Sequence, residues 1–254
     1  MPTVVFSPEH TPPKLDPLYE AAARERLRAL MTFAGGLAHD VRSPLTAIMG
    51  RAELIGIRQP ELAEKMQAIA AQCDRVDAML RAVSVTLELE AVTEPRPVDL
   101  TDLVKRQCDL LCLDRFFKHE IEKQFELATG LPSITAVYGT IARVFAAIVD
   151  NALAALRGSA QRRLVISTGT GEGAVRLSVR DSGCGIRPEH LPRIFEPGFT
   201  TREGDRFGAA PLEQTGRGNG LAFAATAVHG CGGTIEVTSE PGDGTAVTVT
   251  FPVR

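Results

Sequence analysis

Apolar residues fall on two long helical rows in the first third of the chain. Leu27, Leu30, Ala34, Leu37 and Val41 recur at spacings of three and four and continue through Leu45, Ile48, Ala52 and Ile55, which writes one stripe along a helix of about ten turns. Gly56 to Pro60 then supplies a stop, a short loop and a proline suited to the first turn of a new helix. In that second helix Leu62, Met66, Ile69, Cys73, Val76, Leu80, Val83 and Leu87 alternate fours and threes without a miss, the seam of a coiled coil or antiparallel bundle. A two-helix hairpin leaves much of such a seam uncovered. Pairing two hairpins into a four-helix bundle buries it, so a homodimer is expected.

The pattern changes on either side of this hairpin. Residues 1–17 are proline-rich without periodicity and read as a flexible N-terminal arm, ahead of a hairpin domain at 18–94. Thr93 to Pro97 holds two prolines, breaks the helix and opens a second domain at 95–254. There the expected elements are a helix from about Leu100 to Phe117, a strand near Glu120 to Leu127 and a helix from about Thr140 to Leu156. Strands Arg163 to Thr168 and Ala174 to Asp181 follow, then a glycine-rich region and a helix from about Gly220 to His229. Strands Gly233 to Ser239 and Ala246 to Pro252, joined by a Pro241 to Gly244 turn, close the chain. The expected fold class is an all-α helical hairpin, dimeric as a four-helix bundle, followed by an α/β sandwich.

Composition narrows the function. Hydrophobic residues at 44% and charged residues at 23% describe an ordinary globular chain. With 28 Lys plus Arg against 31 Asp plus Glu the basic excess of a nucleic-acid binder is missing, so no nucleic-acid partner is expected. No apolar run approaches the ~18 residues of a membrane span, and the proline-bearing start with Glu9 and Asp16 resembles no targeting signal. No membrane association and a cytoplasmic location are the expectations. The five cysteines contain no CxxC pair, which argues against a disulfide framework or a zinc ribbon. Cys108 and Cys112 read as buried small thiols.

The candidate chemistry begins at His39, which lies two residues from both Leu37 and Val41 and so points roughly 200° away from the stripe, toward solvent. Asp40 beside it can hold one ring N–H and leave the other nitrogen as a nucleophile of fixed tautomer. Ser43 stands one turn on along the same face, and Pro44 offers no N–H to the carbonyl of Asp40. In the second domain three glycine clusters, at Gly183 and Gly185, at Gly216, Gly218 and Gly220, and at Gly242 and Gly244, suit close approach of backbone N–H groups to phosphate. The second cluster opens directly into a helix, whose N-terminus favours anions.

His39-Asp40-Val41-Arg42-Ser43-Pro44-Leu45 resembles the H box of the sensor histidine kinases of two-component signalling, whose ATP-binding domain is of the GHKL type. Asp150-Asn151-Ala152 resembles the N box, Asp181 to Ile186 the first glycine box and Ile194 to Thr201 the F box. Gly216 to Leu221 and Gly242 to Thr245 resemble the later glycine boxes. The resemblance implies an ATP-dependent autokinase that phosphorylates His39 and passes the group to an aspartate of a response-regulator receiver domain. It implies catalytic roles for His39, Asp40 and Ser43, ATP and Mg²⁺ as cofactors and Asn151 as the metal ligand. It also implies Asp181 as acceptor for the adenine amino group. Gly183, Gly185, Thr200, Thr201, Arg202, Gly216, Gly218, Gly220, Leu221 and Thr245 would line the rest of the nucleotide site, with Arg202 to Thr215 as its lid.

Three positions depart from the family pattern: Ala147 where a second Asn is usual, Ala154 where many members have Lys, and Asn219 within the glycine box. Ala147 keeps open an alternative, a dimeric phosphotransfer or scaffold protein with weak or absent kinase activity. Ser43 in place of the usual Thr or Asn leaves phosphatase activity open. The few residues ahead of the bundle leave no room for a sensory domain, so the input is expected from an upstream sensory protein or from a larger chain of which this is the core.

Overall fold

The computed structural model describes residues 1–14, 17–201 and 218–253. The chain forms two compact units, one of Glu20–Ala91 and one of Met1–Tyr19 with Val92–Arg254.

The first unit is the hairpin of α1 (Pro17–Arg58) and α2 (Ala63–Ala91), turned through a single 3₁₀ turn at Pro60–Leu62 with Pro60 in its first turn. The helices meet on small side chains: Ala38, Ala52, Cys73 and Thr86 are its buried residues among those described. Asp77 of α2 accepts from Arg42 Nε of α1 at 2.8 Å and also pairs with Arg81, which clamps the hairpin one turn from His39. Helix α1 runs on through Pro44. Leu37, expected on the buried stripe, is 46% exposed, and Ile48, Ile55, Ile69 and Val76 are exposed with it. One hairpin thus covers only part of the apolar seam that its sequence writes.

In the second unit six strands make one sheet in the order β1-β7-β8-β6-β5-β3. The strands are β1 (Thr3–Phe6), β3 (Glu122–Leu127), β5 (Arg163–Gly171), β6 (Ala174–Asp181), β7 (Thr234–Glu240) and β8 (Gly244–Pro252). Every neighbouring pair is antiparallel except β3 with β5. Alternation along the strands sends Leu164, Ile166, Val175, Leu177, Val179, Ile235, Val237, Val247, Val249 and Phe251 into the core. That face meets helices α3 (Leu100–Leu111), α5 (Tyr138–Arg157) and α6 (Gly220–Gly230), whose Leu103, Phe145, Ile148, Ala224 and Val228 are buried. A two-stranded ribbon of β2 (Arg96–Val98) and β4 (Ile134–Ala136) completes the unit.

Three expectations are corrected here. The helix expected over Leu100 to Phe117 is two, because Asp114 accepts from Phe117 N at 2.7 Å and so caps a new short helix, α4 (Arg115–His119). Helix α5 is long and apolar enough to cross a membrane by length and composition, although it is a buried core helix here. The N-terminal segment, expected as a flexible arm, supplies the edge strand β1, paired with β7 from Thr3↔Thr238 to Phe6↔Ile235.

Candidate functional site

His39 stands on the open side of α1 with its side chain 87% exposed, and its Nδ1 lies 3.2 Å from Asp40 Oδ1. A carboxylate accepts only, so Nδ1 carries the proton of that bond and Nε2 presents its lone pair to solvent. Ser43 is exposed one turn further along.

The second unit holds a cavity of about 360 Å³. Helix α5 lends it Ile148, Asn151, Ala152, Ala154 and Ala155, the sheet lends Val179, Asp181, Val237, Thr245 and Val247, and the start of α6 lends Gly220 and Leu221. Cys184, Gly185, Ile186, His190, Ile194, Phe199, Thr200, Thr201 and Gly218 complete the wall. Every residue expected to bind nucleotide in the described part of the chain therefore lines this cavity, save Gly183. Arg202, Gly216 and the segment to Thr215 lie outside the described residues.

Asp181 ends β6 with only 5% of its surface exposed. Burial pushes its carboxyl up to about 6, against the pull of backbone N–H groups including those of Gly183 and Thr245. The Gly183 bond is 2.8 Å long, and a β-carbon on Gly183 would lie 2.5 Å from that of Ala155 and 2.6 Å from Asp181 Oδ1. Only glycine lets the chain turn this tightly beneath the carboxylate. Gly185 has φ +69°, and a side chain there would run into the Glu240 carbonyl.

Two contacts were not legible in the sequence. Ser239, fully buried, accepts from Ile186 N at 2.8 Å, donates to Gly244 O at 2.9 Å and meets the Thr245 hydroxyl at 2.9 Å, tying two glycine boxes together. Asn219 Oδ1 accepts from Gly198 N at 3.0 Å, which fastens the loop after β6 to the start of α6. His190 was also missed; its ring sits 5.8 Å from that of Phe199 at the cavity wall. Ala147 is buried, and a β-carbon built on Gly220 would touch its own at 3.5 Å, so the alanine packs where α6 begins.

Residues 137–254 match the family described as histidine kinase-, DNA gyrase B- and HSP90-like ATPase, and residues 29–90 match the His Kinase A phospho-acceptor domain. A phospho-acceptor hairpin joined to an ATPase domain of this type defines a histidine kinase core. The chain belongs to the sensor histidine kinases of two-component signalling. It is 34% identical over 238 residues to the sensor histidine kinase ZraS of Escherichia coli K12, an alignment covering 92% of this chain and 48% of the relative. Sporulation kinase E of Bacillus subtilis is 25% identical over 231 residues, covering 91% of this chain and 29% of the relative. The chain thus spans about half or less of the length of these relatives. Among solved structures, the catalytic domain of histidine kinase ThkA superposes with a TM-score of 0.52 at 24% identity, covering 63% of this chain and 97% of that one. Full-length ShkA in complex with AMPPNP gives 0.50 at 24%, covering 87% and 45%. Nothing in these comparisons favours a scaffold without kinase activity.

Proposed function

We propose that this chain is an ATP-dependent histidine autokinase whose phosphoacceptor is His39 and whose phosphoryl group passes to an aspartate of a response-regulator receiver domain. The observation that carries the reading is the exposed imidazole with Nδ1 held by Asp40 at 3.2 Å, on a chain that also folds a nucleotide-sized cavity around Asp181. The Nε2 lone pair attacks the γ-phosphorus, the bond from that phosphorus to the β,γ-bridging oxygen breaks, and ADP leaves with the electron pair. Asp40 holds the ring tautomer and balances the positive charge that grows on the imidazole. Ser43, one turn away, is placed to orient a water against the phosphohistidine, which is the chemistry a phosphatase step needs.

In the cavity Asp181 accepts from the adenine amino group, and the N-terminus of α6 at Gly218 and Gly220 faces the phosphates with its N–H groups. The Asn151 amide oxygen is a hard donor suited to Mg²⁺, a cation that prefers few protein ligands beside phosphates and waters. Bound there, Mg²⁺ would supply charge neutralisation across the triphosphate. A second copy of the hairpin covers the exposed seam, which makes the working unit a homodimer, and a cytoplasmic location suits the use of ATP.

Incubation with γ-labelled ATP and Mg²⁺ tests the assignment. Acid-labile, alkali-stable label is expected on the wild type and none on His39→Gln. Robust labelling of that variant sinks it.

A further inference from the structure

The N-terminal segment does more than add a strand. Pro2 O accepts from Ser239 N at 3.1 Å, so in this antiparallel pair the hydrogen-bonded partners alternate onward to Val4↔Val237 and Phe6↔Ile235. Without β1, strand β7 would present its N–H and C=O groups as an open edge. Phe6 is 9% exposed and its ring lies 5.6 Å from Phe195 and 6.3 Å from His229. Beyond it His10 packs at 5.2 Å on Phe6 and accepts from Ser7 N through Nδ1. Two α6 side chains then meet the segment: His229 Nε2 donates to Pro8 O at 3.1 Å, and Thr226 Oγ1, whose one proton is shared with Ala222 O at 2.9 Å, lies 3.2 Å from Pro13 O. Residues 2–13 are therefore fastened along their length to the edge strand, to α6 and to the loop before Phe199.

That loop is a wall of the cavity. Phe195, on which Phe6 rests, is flanked by Ile194 in the lining, and His190 and Phe199 line the same side. We infer that residues 2–13 are an intramolecular regulatory strap: docked on β7, they hold the 190–199 wall in its nucleotide-binding form, and their release lowers nucleotide affinity. The inference rests on reading the cavity as the ATP site.

Proline placement tests this in the full chain. Val4→Pro removes a ladder N–H, whereas Val5→Pro falls at a non-bonded position of an edge strand and leaves the ladder intact. Amide exchange is read at Ile235 and Val237, whose N–H groups face β1, and MgATP affinity is read by calorimetry. Val4→Pro should unprotect both amides and weaken ATP about five-fold or more, the low end of ordinary coupling between sites. Val5→Pro should change neither. Phe6→Ala should weaken ATP in the same direction, and a synthetic peptide of residues 1–13 should restore the affinity of Val4→Pro. Equal behaviour of the two prolines, or unprotected amides with unchanged ATP affinity, overturns the strap. Wild-type protein that binds no ATP overturns the reading of the cavity, which leaves the exchange contrast alone to decide strand docking.

Discussion

Asp181 is a carboxylate kept where water barely reaches and held by backbone N–H groups. Its folded value of about 6 lies above the ordinary 3.8, so the native state holds its proton more tightly than the unfolded chain between those limits. The ligand-free protein accordingly loses stability as pH rises from about 4 to 6, by on the order of 3 kcal/mol in all. Asp181→Asn removes this titration. The variant should melt above the wild type at pH 7 to 8, with the gain fading below about pH 5. It should bind ATP more weakly by roughly 1.5 to 3 kcal/mol, the range for hydrogen bonds to charged groups. Wild-type ATP affinity should itself fall as pH drops through about 6. A variant that neither melts higher nor binds more weakly at neutral pH would show that the carboxylate is not the adenine acceptor. Asp181, like His39, was legible in the sequence because its motif fixes its neighbours. Ser239 was not, since a serine ending a strand looks like any turn residue until the fold brings Ile186 and Thr245 against it.

Secondary elements divide by length. The two hairpin helices and α5 were legible because many periodic positions vote together, whereas β1, β2 and β4 have four, three and three residues and contain too few alternations to count. Pro97 inside β2 argued further against a strand, although an edge position tolerates it. The α3–α4 break was hidden because the Asp114 cap interrupts an apolar run that continues through Phe117. Asn219 is the clearest local departure at this scale. It begins α6 without capping it and spends its side-chain oxygen on Gly198. Gly198 N also reaches Gly218 O at 3.2 Å, so Asn219→Ala should cost about 0.5 to 1.5 kcal/mol of stability and raise the KM for ATP more than it lowers kcat. Thermal melting and steady-state labelling read the two effects. An unchanged KM would detach the Asn219 bond from nucleotide binding.

At the scale of the molecule, the proposed homodimer puts the hairpin's seam at its interface. Val76 and Ile69 are exposed apolar residues in the middle of an unbroken heptad row, and a charge placed there in a dimer core would be buried without a partner. Val76→Glu should therefore shift sedimentation at micromolar concentration from dimer to monomer while leaving ATP binding by the other unit unchanged. A dimer unaffected by the change would place the interface elsewhere. The edge pairing of β1 with β7 has a further consequence for biogenesis. Its partners Thr3 and Thr238 are 235 positions apart, and a ribosome adding about 5 to 20 residues per second needs on the order of 10 to 50 seconds to make that stretch. The first strand of the sheet thus waits while both hairpin helices emerge and fold, so the proposed pairing of hairpins has time to begin before the nascent ATP-binding unit can close its last edge.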